Sequence, residues 1–192
     1  MDEKRSLDVK AILLSYLLVA RDSLLWKLEG LSPYDARRPL TPTGLNILGL
    51  NSHVAICAAD YFGSVFERPC PDPTPDVDED PHADFVVPAD VSTADAIAQV
   101  GRWWAHAEAT IEALPLDAVG RVPWWEGERG EVTLQQILVH MVAEAHRHAG
   151  HADILRETVD GAAGLKPGVT NLPDVEWTEH VARVEETARA SH

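Results

Sequence analysis

Apolar residues recur at the spacing of an α-helix along most of the chain. This periodicity predicts four long helices and one short one, over about residues 7–28, 43–67, 92–114, 133–159 and 174–190. No stretch alternates clearly enough to predict a strand, and no segment is repeated. Four long helices joined by two short and two long connections are typical of a helix bundle. We therefore expect an all-α four-helix bundle with an extra short C-terminal helix, in a single domain over residues 1–192 with its core at about 7–161.

The two long connections differ in composition. Residues 68–90 are rich in proline and acidic residues, which predicts an exposed and solvated connector. Residues 115–132 hold three glycines and the pair Trp124-Trp125, and they end where the fourth long helix begins. Because long loops in compact domains usually carry function, we expect this second connection to form a lid.

The fourth long helix carries a stripe of metal-ligating residue types. At about 100° per residue, Glu144 lies about 40° from His140, His148 about 80° and His151 about 20°. Apolar residues share this face, so Glu144 and His148 are expected to point into the bundle. A buried carboxylate is unfavourable unless it is paired or bound to a metal. A Glu and a His four residues apart on an inward face are typical of helical metal sites. A buried hydrogen-bonded polar pair is the alternative.

The second long helix offers a third ligand. His53 lies on an apolar side of that helix, which is otherwise free of histidine. Two imidazoles and one carboxylate match a catalytic zinc site with a fourth position left for water or substrate. We therefore predict a metal site of His53, Glu144 and His148, with zinc as the first choice and nickel or iron as alternatives.

Several other residues have weaker assignments. His140 and His151 flank the predicted ligands and are candidates for a supporting hydrogen bond or a proton shuttle, with a structural hydrogen bond favoured for His151. Cys57 lies one turn beyond His53, and a buried small hydrophobe is its expected role.

Further residues are assigned a role from their position in the sequence alone. Trp124, Trp125 and Arg129 are candidates for the mouth of a cavity, with ordinary packing as the alternative. We expect Asp60, His146 and Asp153 on solvated helix faces, and Arg147 and Arg156 in ion pairs with acids on their own helix.

At these residues the chain resembles the DinB-like superfamily, and more closely its domain-of-unknown-function 664 branch. The matching positions in the fourth long helix are His140, Glu144, Arg147, His148, Gly150, His151, Asp153, Arg156 and Glu157. The flanking pairs Thr133-Leu134 and Asp160-Gly161, and Trp177 before the last helix, also fit that branch.

The resemblance implies a four-helix bundle that holds a divalent metal through three side chains, often in a homodimer. Many members of the superfamily have a His where this chain has Glu144. A Glu at that position resembles the mycothiol-dependent maleylpyruvate isomerases, whose metal set is His-Glu-His. The chain has no evident match to the separate C-terminal domain of those isomerases, so the resemblance implies the metal site rather than the isomerase reaction.

Two functional hypotheses follow from the predicted metal site and the family resemblance. The first is a metal-dependent thiol S-transferase, which joins a low-molecular-weight thiol such as mycothiol to a small electrophile. A metal with an open position lowers the pKa of a bound thiol, and the thiolate is the nucleophile. The alternative is a non-catalytic metal-binding protein of stress or detoxification. A structural dimer with a vestigial site is the third and weakest hypothesis.

Charge and cysteine content exclude some partners. The chain has 16 Lys and Arg against 31 Asp and Glu, for a net charge of −15. This charge argues against nucleic acid and anionic membrane surfaces as partners. The apolar run 11–20 is too short to span a bilayer, and acidic residues dilute the basic positions before it, which disfavours a signal peptide. With two cysteines, Cys57 and Cys70, the expected location is the reducing cytoplasm.

Overall fold

The computed structural model describes residues 8–77, 79–170 and 172–191. Its long helices are α1 (Val9–Trp26), α3 (Ile47–Phe62), α4 (Thr93–Ala113) and α5 (Leu134–Asp160), with the short α2 (Pro33–Arg37) between the first two. The C-terminal helix α6 (Trp177–Ala190) has no buried residue within its described range. The expected all-α bundle with an additional short helix is confirmed.

Two pairs of helices make the most extensive contacts in the bundle, α1 with α5 and α3 with α4. Helix α1 lies against α5, and α3 lies against both α4 and α5. Helix α3 is the most completely enclosed, and most of its residues are buried. Its apolar side chains meet those of the other long helices in a continuous core that includes Leu17, Leu24, Leu50, Phe62, Val100, Ile111, Ile137 and Met141. A helix that is apolar on nearly every side belongs at the centre of such a core.

Capping residues mark where the long helices begin and end. Helix α4 begins after Ser92, whose hydroxyl accepts a hydrogen bond from the backbone N–H of Asp95, and α5 begins after Thr133 in the same way. Helix α5 ends at Gly161, which has a φ of 79°, a conformation that glycine adopts without strain. The predicted second helix is shorter than expected, because the backbone turns at Gly63 into a 3-10 segment over Ser64–Phe66. The predicted start at residue 7 lies outside the described residues.

The connection before α5 contains strands that the sequence pattern did not predict. Strand β1 (Val119–Arg121) pairs antiparallel with β2 (Glu131–Thr133), and Val119 faces Thr133 in the register. Each strand has three residues, which is too short for an alternating pattern to be recognised. The hairpin sets the 115–132 connection against the start of α5.

The junction of α1 and α5 holds a buried ion pair. The Lys27 side chain is fully buried, and its Nζ lies 2.9 Å from Asp153 Oδ1. Asp153 also accepts a hydrogen bond from the backbone N–H of Gly164 at 2.7 Å. The expectation of a solvated Asp153 was therefore wrong, because α1 covers that side of α5. The predicted ion pair of Arg156 is present, with Asp160 at 2.6 Å.

No described helix is both long enough and apolar enough to cross a membrane.

Candidate functional site

The predicted ligands line one cavity between α3 and α5. Its volume is about 280 Å³. Its wall consists of His53, Val54, Cys57, Tyr61, His140, Met141, Glu144 and His148. The structure thus brings the three predicted ligands and His140 together, whereas His151 lies outside the wall, with its ring centroid 5.4 Å from that of His148. The 39% exposure of the Glu144 side chain corrects the expectation that it points into the bundle interior.

Glu144 and His148 are close enough to share a metal ion. His148 Nε2 lies 3.6 Å from Glu144 Oε2, one helical turn away. Two ligand atoms in a tetrahedral zinc site are about 3.3 Å apart, given bonds of about 2.0–2.2 Å. The separation of these two atoms is therefore near that of a ligand pair.

The Nδ1 side of the His53 ring contacts Asp84, a residue that the sequence analysis did not identify. Asp84 Oδ2 lies 2.6 Å from His53 Nδ1, and the Phe85 ring stacks on the His53 ring with centroids 4.3 Å apart. With Nδ1 engaged by Asp84, Nε2 is the nitrogen of His53 that remains for a metal, and its partner in the structure is the Cys57 Sγ at 3.8 Å. A carboxylate on the far nitrogen of a histidine is the usual support of a metal ligand, because it fixes the tautomer and the ring orientation.

The position of Asp84 corrects the prediction of a solvated connector over residues 68–90 in one part, because residues 83–85 and 87 are partly buried whereas most of the other described residues of the connector are exposed. The connector folds over the N-terminal half of α3, where the Asn46 side-chain amide donates a hydrogen bond to the carbonyl of Phe85 at 3.3 Å. This carbonyl approaches so closely that a Cβ on Gly49 would lie 2.3 Å from its oxygen. Proline and acidic content suggested solvation, but the apolar run Phe85-Val86-Val87 directly after Asp84 is the signal that favours docking.

The protonation state of His148 suits a metal ligand. Burial, together with the nearby charges of His53 and His151, lowers its pKa to about 4, although Glu144 acts in the opposite direction. The ring is therefore neutral at pH 7, which is the form that binds metals. Its Nδ1 is buried and has no hydrogen-bond partner among the described residues.

Cys57 is a poor nucleophile in this setting. Its Sγ lies 3.8 Å from His53 Nε2, and burial together with the charges of Asp84, Asp60 and Glu144 raises the pKa of the thiol to about 12. The thiol is therefore protonated at neutral pH. Asp60 is only partly exposed, which corrects the expectation of a solvated Asp60, and this burial raises the pKa of its carboxyl group.

An aromatic wall separates this cavity from a larger one. The Tyr61 and Trp125 rings both contact the His140 ring, with centroids 4.9 Å and 5.2 Å from it. The neighbouring cavity has a volume of about 560 Å³ and is lined by Trp124, Trp125, Glu126, Arg129, Glu131 and Gln136. Trp124, Trp125 and Arg129 thus line a cavity, but it is the neighbouring one and not the cavity of the predicted ligands.

The three predicted ligands fit a divalent metal in their chemistry. Two imidazoles and one carboxylate face one cavity, and one imidazole has the supporting carboxylate that metal sites usually provide. Their positions do not yet match a metal site, because within residues 8–77, 79–170 and 172–191 no group of three or more His, Cys, Asp or Glu side chains is arranged so that it could hold a metal ion.

The comparisons with known proteins identify the family. A family model described as mycothiol S-transferase matches residues 12–161, which include most of α1, all of α2 to α5 and every residue of the two cavities. No curated protein matches the chain. Because the family model covers most of its length, the chain belongs to the mycothiol S-transferase family, which is part of the DinB-like superfamily.

Proposed function

We propose that this protein is a metal-dependent thiol S-transferase that joins mycothiol to a small electrophile. The observation that carries the proposal is the common cavity of His53, Glu144 and His148 in a chain of this family. The assignment to the domain-of-unknown-function 664 branch and the homodimer belong to the same proposal, on the resemblance alone.

His53, Glu144 and His148 would hold the metal. Zinc is our first choice because imidazole and carboxylate are its usual ligands, and nickel and iron are the alternatives. When bound, the ion supplies a positive charge that favours the thiolate form of a thiol at neutral pH.

The protein residues around the ligands have separate tasks. Asp84 accepts the hydrogen bond of the His53 Nδ1–H group and so keeps Nε2 directed at the cavity. The protonated Cys57 does not compete as a nucleophile. In the transfer, the thiol sulfur forms a bond to an electrophilic carbon, the leaving group departs with its electron pair, and the thiol proton passes to solvent. His140, in the cavity wall, is the side chain placed to carry that proton.

The larger cavity offers room for the rest of the thiol. Its polar residues Glu126, Arg129, Glu131 and Gln136 provide donors and acceptors for hydroxyl and amide groups. Trp124 and Trp125 provide aromatic faces on which sugar rings can pack. The wall of Tyr61, Trp125 and His140 lies between this cavity and the candidate metal site.

A conjugation assay tests the proposal. Zinc-loaded protein is mixed with mycothiol and 1-chloro-2,4-dinitrobenzene, whose carbon accepts the sulfur as chloride leaves, and a panel of other electrophiles follows. We expect conjugation above the uncatalysed rate, lost in Glu144→Ala and retained in Glu157→Ala, which removes an exposed Glu from the same helix.

A cobalt-substituted sample separates catalysis from metal binding alone. Cobalt at a site with an open position changes its visible spectrum when a thiol displaces water. A change on adding mycothiol supports the transferase. An unchanged spectrum across several thiols would contradict it and leave a non-catalytic metal-binding protein.

A further inference from the structure

The cavity of the predicted ligands extends along two helices. On α3 it runs from His53 to Tyr61, and on α5 it runs from His148 back to His140. Residues eight apart on a helix are separated by ~12 Å along its axis. One ring pair lies at each end, His53 with His148 and Tyr61 with His140, and in each pair the ring centroids are 4.9 Å apart. Because Glu144 lies one turn from His140, the Tyr61–His140 end is about one to two helical turns from the predicted ligands.

This far end adjoins the larger cavity through Tyr61. The Tyr61 ring contacts the rings of Trp124 and Trp125, with centroids 5.3 Å and 6.0 Å away, and both tryptophans line the larger cavity. A thiol whose sulfur lies at the candidate metal site and whose remaining part lies in the larger cavity must therefore pass Tyr61. This path rests on the proposed function.

The Tyr61 hydroxyl has a proton that it can donate to a ligand. Trp124 Nε1 lies 3.2 Å from the hydroxyl oxygen of Tyr61, and because an indole N–H can only donate, the oxygen is the acceptor in this contact. Among the described residues no group accepts the hydroxyl proton in turn. Tyr61 is partly exposed and belongs to the cavity wall. The hydroxyl therefore offers a donor at the passage between the two cavities.

The other polar side chains of this wall have different roles. The three predicted ligands would bind the metal, and the Cys57 thiol contacts His53. His140 donates or accepts according to its tautomer. Tyr61 is thus the wall residue outside the ligand set whose remaining hydrogen bond is fixed as a donation.

We propose that the Tyr61 hydroxyl donates a hydrogen bond to a carbonyl oxygen of the thiol, and so selects thiols that carry a carbonyl about one to two helical turns from the sulfur. A carbonyl suits this position because it only accepts, whereas a hydroxyl brings a proton that needs an acceptor of its own. Acids outside the predicted ligand set, Glu126 and Glu131, lie in the larger cavity instead. Tyr61 acts on the choice of thiol and takes no part in the chemistry at the sulfur.

Calorimetry measures this contact apart from catalysis. Zinc-loaded protein is titrated with mycothiol in the absence of an electrophile. We expect Tyr61→Phe to weaken binding about tenfold, as for the loss of one hydrogen bond. The variant keeps the ring, and because Trp124 is 53% exposed, water can accept from its N–H. Tyr16→Phe, at an exposed position of α1, is the matched control and should bind like the wild type. Equal affinities of Tyr61→Phe and the wild type would overturn the proposal.

A short thiol separates the hydrogen bond from a loss of packing. Ethanethiol has no oxygen and is too short to reach Tyr61 from the predicted ligands. In the conjugation assay, we expect the ratio of kcat/KM for mycothiol to kcat/KM for ethanethiol to fall about tenfold in Tyr61→Phe, through the KM for mycothiol. An equal loss for both thiols would show a structural role and would overturn the proposal.

The two experiments also distinguish this proposal from the transferase activity. Weaker mycothiol binding by Tyr61→Phe, together with no conjugation by the wild type, would support the Tyr61 contact and contradict the transferase. A wild type that does not bind mycothiol would overturn both.

Discussion

The carboxylate of Asp84 lies 2.6 Å from His53 Nδ1, although 31 residues separate the two along the chain. The sequence predicts that the connector holding Asp84 is solvated, but this contact joins it to α3, the most enclosed helix of the bundle. Since Asp84 determines which nitrogen of His53 carries the proton, it also determines which one is free for a metal. The connector is thus part of the candidate site.

Removal of Asp84 is expected to weaken metal binding. Asp84→Ala leaves His53 Nδ1 without its acceptor, and loss of such a support typically lowers metal affinity about 10–100-fold. Zinc affinity is measured by competition with a chromophoric chelator. Asp90→Ala, which changes an exposed acid in the same connector, should leave the affinity unchanged. Equal affinities of Asp84→Ala and the wild type would show that Asp84 does not support a ligand.

Gly49 is expected to be required for docking of the connector. An alanine there places its Cβ against the Phe85 carbonyl, and relief of this overlap displaces backbone. We expect Gly49→Ala to lower the free energy of unfolding by about 1–3 kcal/mol in urea denaturation. Gly101→Ala, at an open position in helix α4, should instead raise it by about 0.5–1 kcal/mol. A Gly49→Ala variant with the same free energy of unfolding as the wild type would contradict the close approach of the Phe85 carbonyl to Gly49.

The buried Lys27 gives a pH dependence of stability. Burial lowers its pKa below the usual 10.5, although Asp153 partly offsets the effect. Between the lowered and the usual pKa the unfolded chain binds more protons than the folded one, so stability from this residue rises with pH. We expect the free energy of unfolding of the wild type, relative to Lys27→Met, to increase as the pH approaches 10.5. A difference in the free energy of unfolding that does not change with pH would exclude a lowered pKa of Lys27.

Trp125 is expected to contribute to binding of the thiol. Its ring contacts His140 and lines the larger cavity. Trp125→Ala should therefore raise the KM for mycothiol in the conjugation assay by about tenfold or more, as expected when a packed aromatic contact is lost. The control is Trp177→Ala on helix α6, with an expected KM equal to that of the wild type. A KM unaffected by Trp125→Ala would place the thiol elsewhere.

The sequence was sufficient to predict the helices and to place the three predicted ligands on faces that meet. Periodicity records which side of a helix faces its neighbours, and His53, Glu144 and His148 all belong to periodic segments. Asp84 belongs to a non-periodic connector, whose path depends on a hydrogen bond from Asn46 and on open space at Gly49. Neither contact leaves a pattern in the local sequence.

The same limit explains the errors at single residues. The wheel of α5 placed Asp153 away from the stripe, but it carried no information on which helix covers that side. The strands β1 and β2 are too short to show alternation. Most of the assignments that failed depended on contacts between elements, but the periodicity within α5 also failed at Glu144, whose side chain is 39% exposed.

Metal content tests the central claim most directly. Elemental mass spectrometry is applied to untagged protein, to His53→Ala and to Glu144→Ala, with His180→Ala as the control because His180 lies on the exposed helix α6. We predict about one equivalent of divalent metal in the wild type and the control, and its loss in both site variants. A wild type that remains metal-free after reconstitution with zinc, nickel and iron would show that the cavity is a polar network and would contradict the account.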